Sequence, residues 1–164
     1  MTRSDKIASE TSNGFVDDYL LYLLAAASDA ASAQFHALVR KNGLRVPEWR
    51  VLACLHDNDG AMITQLARLA LVEQSRLTRI IAQMEVRGLV SRMGDPSDGR
   101  RVCVHLSDDG NALINRLVPE ARTHEAKLLA KLSTGDGQHL KQALHSLLAA
   151  LEDSSAADTE PPRS

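Results

Sequence analysis

"DPSDGRRVCVHLSDDG", residues 95–110, sets turn formers, two adjacent arginines and a short alternating run side by side. Val102, Val104 and Leu106 alternate with Cys103 and His105, the period of a half-buried strand. Leu89 to Met93 offers a second strand just upstream, and Pro96, Asp98 and Gly99 between the two are hairpin-turn residues. The stretch therefore predicts a protruding β-hairpin that carries Arg100 and Arg101 near its tip. Ser107 then caps a new helix, whose opening acids Asp108 and Asp109 suit the positive end of the helix dipole.

Upstream, "EQSRLTRIIAQMEVRG" holds Leu77, Ile80, Ile81 and Met84 at i, i+3, i+4 and i+7, which gives a helix one buried face. Gly88 is placed to close it. A short helix through Gln65, Leu66, Ala67 and Leu69 precedes it, with Thr64 as its expected cap and a break at Leu71–Val72. Two such helices joined by a few residues predict a helix-turn-helix. Before them, Pro47 suits the first turn of "PEWRVLACLHD", and "DNDG" reads as a turn.

A stripe from Val16 through Leu20, Leu23, Leu24, Ala27, Ala31, Phe35 and Leu38 predicts one long first helix, ended by Gly43. After Ser107 a helix runs through Leu113, Leu117, Ala121, Leu128 and Leu132, with a kink expected at Pro119. A last helix carries Leu140, Ala143, Leu144, Leu147, Leu148 and Leu151. The expected fold is mainly α with a small β-hairpin: a winged helix-turn-helix core flanked by N- and C-terminal dimerisation helices. The divisions are a disordered tail over 1–13, a first dimerisation helix over 14–45 and a DNA-binding lobe over 46–107. Further dimerisation helices follow over 108–152, with a second disordered tail over 153–164. The flanking helices hold more leucine than one small domain needs, so a homodimer on a palindromic duplex is expected.

Composition narrows the function classes. The chain has 164 residues, 44% hydrophobic but only 3% aromatic, so the core is aliphatic and favours helices. Two isolated cysteines, Cys54 and Cys103, make no disulfide framework. There is no apolar leader run, and the longest apolar stretch, Tyr19 to Ala27, is too short to span a bilayer. A reduced, cytoplasmic protein is expected. Net charge is −2, yet residues 68–101 hold seven arginines against four acids, a basic segment on an acidic body. No nucleophile elbow, glycine-rich phosphate loop, HExxH or Cys/His cluster stands in the chain. Neither catalysis nor a metal or other cofactor is therefore indicated. Cys54 reads as core packing, and Cys103 alternates outward.

Three segments together resemble the MarR (multiple antibiotic resistance regulator) family of bacterial transcription factors. "VEQSRLTRIIAQMEVRGLV" is similar to the family's recognition helix and its exit into the wing. "DPSDGRR" resembles the wing signature Asp-x-Arg-Asp-x-Arg, with Asp95, Asp98 and Arg100 in register, although Ser97 replaces its first arginine. "LSDDG" is similar to the Leu-Thr-x-x-Gly that opens the next helix. The resemblance covers roughly residues 16–150. It implies that Asp98 orients Arg100, whose guanidinium enters a minor groove, while Arg101 meets the adjacent phosphate.

Arg76, Arg79 and Gln83 lie opposite the buried face of the recognition helix, with Ser75 and Thr78 beside them. Arg and Gln read guanine and adenine edges, and hydroxyls serve phosphates. The resemblance also implies an anionic aromatic effector, an aromatic acid or its CoA thioester. Its expected contacts are His36, Arg40 and Trp49. Plainer readings stay open: a solvated helix face, Trp49 as core, a constitutive or architectural DNA-binding protein, or a winged helix that binds protein.

Overall fold

The computed structural model describes residues 14–95 and 98–157, without the side chains of 95, 98–100 and 154–157. The tails expected over 1–13 and beyond Ala157 lie outside the described residues. The chain divides into two compact units, Met1–Val46 and Pro47–Ser164.

In the first unit the expected single helix is two: α1 (Phe15–Asp18) and α2 (Leu20–Lys41). Tyr19 separates them with an extended backbone, φ −78° and ψ 116°, and its ring stacks on Phe15 with centroids 4.9 Å apart. Apolar periodicity passes straight through this break and so does not reveal it. At the far end Gly43 adopts φ 75° as expected, Leu44 N–H donates to Val39 O, and the Asn42 side chain donates to Leu38 O.

The second unit opens in α3 (Val46–Asp57), with Pro47 in its first turn. Then come β1 (Ala61–Met62), α4 (Ile63–Leu69), α5 (Gln74–Val86), β2 (Val90–Asp95) and β3 (Asp98–Leu106). The long helices α6 (Asp108–Leu129) and α7 (Asp136–Ala157) complete it. The hairpin is present, but β1 joins it to make a three-stranded antiparallel sheet of order β1-β3-β2. Ala61 pairs with Val104 and Met62 with Cys103 across β1 and β3; Val90 pairs with Leu106 and Met93 with Cys103 across β2 and β3. Two residues have no readable period, so β1 exists only through its partner. Thr64 does not cap α4: the helix begins at Ile63, with Met62 in the N-cap position and no side-chain cap. α6 continues on both sides of Pro119, and α7 runs past position 153, where the polar composition suggested a tail.

The core of this unit is aliphatic: Val51, Leu52, Leu55, Leu66, Leu77, Ile81, Met84, Val104 and Ile114 are wholly buried. Gly110 is required where α6 starts, because a Cβ there would stand 2.0 Å from the Leu89 carbonyl oxygen. The turn between α4 and α5 is less relaxed. Leu71 adopts φ 56°, a left-handed conformation that costs a non-glycine residue roughly 1–2 kcal/mol.

Candidate nucleic-acid interface

The four apolar side chains of α5 are buried, and Ser75, Arg76, Thr78, Arg79 and Gln83 are all exposed. Burying Leu77, Ile80, Ile81 and Met84 settles the rotation of the helix about its axis, so the polar row faces outward as one surface. Glu73 is the N-cap, which the sequence reading missed. Its carboxylate accepts from the Ser75 and Arg76 backbone N–H groups at 2.9 and 3.0 Å and from the Ser75 hydroxyl. The Ser75 hydroxyl, then these N–H groups and the charge of Arg79, hold the Glu73 carboxyl below the usual carboxylate range. The first amides of the recognition helix are thus taken by its own cap. Thr78 donates to Gln74 O at 3.0 Å, which spends its proton inside the helix.

The wing strands are tied to this helix. The Arg92 side chain donates to Glu85 at 2.8 Å and the Arg92 backbone N–H to the same carboxylate at 3.0 Å, joining β2 to the last turns of α5. These bonds hold the Glu85 carboxyl below its ordinary range. A second brace reaches back to α3, where Arg87 donates at 2.9 Å to Glu48, a carboxylate with no solvent exposure. Neither pair was read from sequence, since each joins residues whose separation carries no local period.

Thr78 and Arg101 line one concavity of about 290 Å³ together with Met62, Ile63, Thr64, Gln74 and Val102. The start of α4, the start of α5 and the wing strand β3 thus meet around two of the predicted contacts. Thr64 and Gln74 enter the candidate site from the fold alone. Asp98 and Arg100 belong to β3 by backbone, but their side chains lie outside the described residues. His36 and Arg40, four residues apart on one side of α2, belong to the first unit, and half-buried Trp49 to the second. Among the described residues no helix is long and apolar enough to cross a membrane.

Comparison with known proteins bears on this geometry directly. The model of the MarR family matches residues 44–102, from the approach to α3 to the middle of β3. A MarR family transcriptional regulator from Silicibacter pomeroyi DSS-3, SPO1453, is 57% identical; the match covers 85% of this chain and 99% of that one, with a TM-score of 0.78. The chain belongs to the MarR family. Two further relatives come from solved complexes. CouR, a transcriptional repressor bound to a 23-mer DNA duplex, is 28% identical over 88% of this chain and 99% of its own, with a TM-score of 0.70. Rv2887 of Mycobacterium tuberculosis, in complex with salicylic acid, is 29% identical over 78% of this chain and 95% of its own, with a TM-score of 0.63.

The MarR motif Leu-Thr-x-x-Gly has a physical basis in this chain. Ser107, in the threonine position, accepts from Gly110 N–H at 3.0 Å and donates to Gly88 O, while Gly110 makes room for the Leu89 carbonyl. One short motif therefore locks the exit of the recognition helix to the start of the helix that follows the wing.

Proposed function

We propose that this protein is a homodimeric transcriptional repressor that binds a palindromic operator and releases it when an anionic aromatic acid or its CoA thioester binds. The observation that carries the reading is the exposed row Ser75, Arg76, Thr78, Arg79 and Gln83 on a helix whose other face is wholly engaged in the core. Laid in a major groove, such a row presents arginine and glutamine to base edges. Arg101, in the concavity beside Thr78, suits a flanking phosphate, and the resemblance of the wing signature assigns the minor groove to Arg100, with Asp98 as its partner. That CouR is bound to a DNA duplex supports double-stranded DNA as the partner.

A second copy of the chain accounts for the apolar surface. Phe15, Val16, Leu20, Leu21 and Leu23 in the first unit are exposed, as are Leu140, Leu147, Leu148 and Leu151 on α7 in the second. Two-fold pairing through these helices sets two recognition helices about one DNA turn apart, roughly 34 Å. His36 or Arg40, four residues apart on α2, supplies the cation for the effector. The salicylic acid complex of Rv2887 supports that ligand class. An effector that prefers the wrong spacing of the two reading heads releases DNA through its differential affinity alone. Such a regulator acts in the cytoplasm.

The test is fluorescence anisotropy on a palindromic duplex selected from a random pool, with a salt titration and sedimentation of the protein alone. A dimer is expected, with affinity falling steeply as salt rises. Arg79→Ala and Arg100→Ala should each cost roughly 1–3 kcal/mol of binding without changing the melting temperature. No duplex retained by the pool, or unchanged affinity in both variants, overturns the DNA reading. Salicylate and benzoyl-CoA are the first effector probes. Failure of a panel of aromatic acids and thioesters to release DNA leaves a constitutive regulator, and a normal response in Arg40→Ala removes that residue from the effector site.

A further inference from the structure

The strand register lines up three sulfur side chains. Met62 of β1 and Met93 of β2 both pair with Cys103 of β3, so thioether, thiol and thioether cross the sheet in one row. The adjacent pair, Ala61 and Val104, is buried, which makes the sulfur row the outer face. Met62 and Met93 are exposed and Cys103 half-buried. His105 lies two residues along β3 on the same face. Its Nδ1 meets Asp59 Oδ2 at 3.0 Å, and Asp59 also accepts from Leu106 N–H at 2.7 Å. The ring packs so closely on Gly60 that a Cβ there would stand 2.8 Å from its Cε1. The imidazole is therefore held through Nδ1, which leaves Nε2 for another partner, the arrangement in which a carboxylate orients a metal-bound histidine.

We propose that this face of the sheet is a soft-metal site that holds one cuprous ion per chain through Cys103, Met62 and Met93, with His105 Nε2 as the fourth donor. Neighbouring strands lie about 4.8 Å apart, so the two methionines flank the cysteine at a distance that their flexible side chains span without backbone movement. Thiolate and thioether donors select Cu(I) over harder divalent ions. Among the described residues no three His, Cys, Asp or Glu side chains form a metal-holding group, so the usual donor set for zinc is missing. Charge favours a monovalent ion as well. Arg101 lies two residues before Cys103 on the same strand, and Cu(I) with one thiolate adds no net positive charge beside it. On binding, the Cys103 thiol gives its proton to solvent as the Cu–S bond forms, and no electron is transferred. The site does not depend on the operator reading, and its test uses no DNA.

The reduced full-length protein is titrated anaerobically with Cu(I) buffered by a chromophoric chelator, and separately with Zn(II). One Cu(I) per chain is expected, with near-ultraviolet thiolate-to-copper absorption and protection of one of the two cysteines from a thiol reagent. Cys103→Ser should abolish binding, and Cys54→Ser should leave it unchanged. Met62→Leu and Met93→Leu, which keep side-chain volume, should each weaken it roughly 10–100-fold, at least what loss of an outer-shell partner costs a metal site. Circular dichroism and melting of each variant check the fold. X-ray absorption of the wild-type complex gives a readout free of substitution, and a shell with three sulfurs is expected. Binding retained in Cys103→Ser, unchanged affinity in the Met62→Leu/Met93→Leu double variant, a shell with a single sulfur, or Zn(II) bound as tightly as Cu(I) would overturn the proposal.

Discussion

Replacing Arg87 by methionine leaves the Glu48 carboxylate in the core without the guanidinium that meets it at 2.9 Å. Glu48 has no solvent exposure, whereas the Arg87 side chain is 42% exposed. Breaking a fully buried pair from one side costs about 3–5 kcal/mol, because the remaining charge stays desolvated. Water around Arg87 already weakens the attraction, and Glu48 stands in the first turn of α3, where the helix dipole favours an anion. The expected loss is therefore roughly 2–4 kcal/mol, or a melting point lower by about 5–15 °C in a chain of this length. Glu48→Gln keeps an acceptor for Arg87 and should cost only about 1 kcal/mol. The double variant Glu48→Met/Arg87→Met removes both charges and should fall within about 1 kcal/mol of the parent. Urea unfolding followed by circular dichroism at fixed protein concentration gives all the corners, the fixed concentration being needed if the protein dimerises. A loss below about 0.5 kcal/mol in Arg87→Met, or a double variant as unstable as that single one, would refute the reasoning.

Gly110→Ala should destabilise the protein by roughly 2 kcal/mol even after the better helix propensity of alanine, because its Cβ would overlap the Leu89 carbonyl; a neutral melt would show that α6 slides freely. Leu71→Gly relieves the left-handed backbone at φ 56° and removes an exposed leucine; after the entropy cost of glycine a gain of about 0.5–1 kcal/mol is expected, and a loss would mean that the side chain is held by a contact. Asp59 predicts a pH signature. Desolvation pushes its carboxyl up, but the hydrogen bonds from Leu106 and His105 outweigh it and leave the folded pKa below the ordinary value. A lowered carboxylate pKa contributes stability that is present above the unfolded pKa of about 4 and lost as pH falls through the folded one. The gap between wild type and Asp59→Asn should therefore be full at neutral pH and close on acidification, and a gap constant down to pH 2 would contradict it.

Much of the reading head was legible because its signals are local. The period of Leu77, Ile80, Ile81 and Met84 announces which side of α5 is buried, and so which side carries Arg76, Arg79 and Gln83. Ser107 at an N-cap and Gly88 at a helix end each act within a few residues, and their sequence signs were read correctly. Thr64 shows the limit of such signs: a good capping residue stands there, but pairing of Ala61 and Met62 with β3 places the helix start one residue before it. The same pairing created β1, whose two residues carry no period.

What the sequence determined by itself was the order of the longer helices and of the two hairpin strands, the inward face of the recognition helix and the three motifs that resemble the MarR family. Only the tertiary structure decided that Glu73 caps that helix, that Glu85 holds Arg92, that Glu48 is buried against Arg87, and that Met62, Cys103 and Met93 share one row. The physical reason is one of range. Helix period, caps and turns are settled by neighbours a few residues away, so composition and spacing show them. Charge pairing and strand register join residues tens of positions apart, and their partners are chosen by the packing that brings the backbones together.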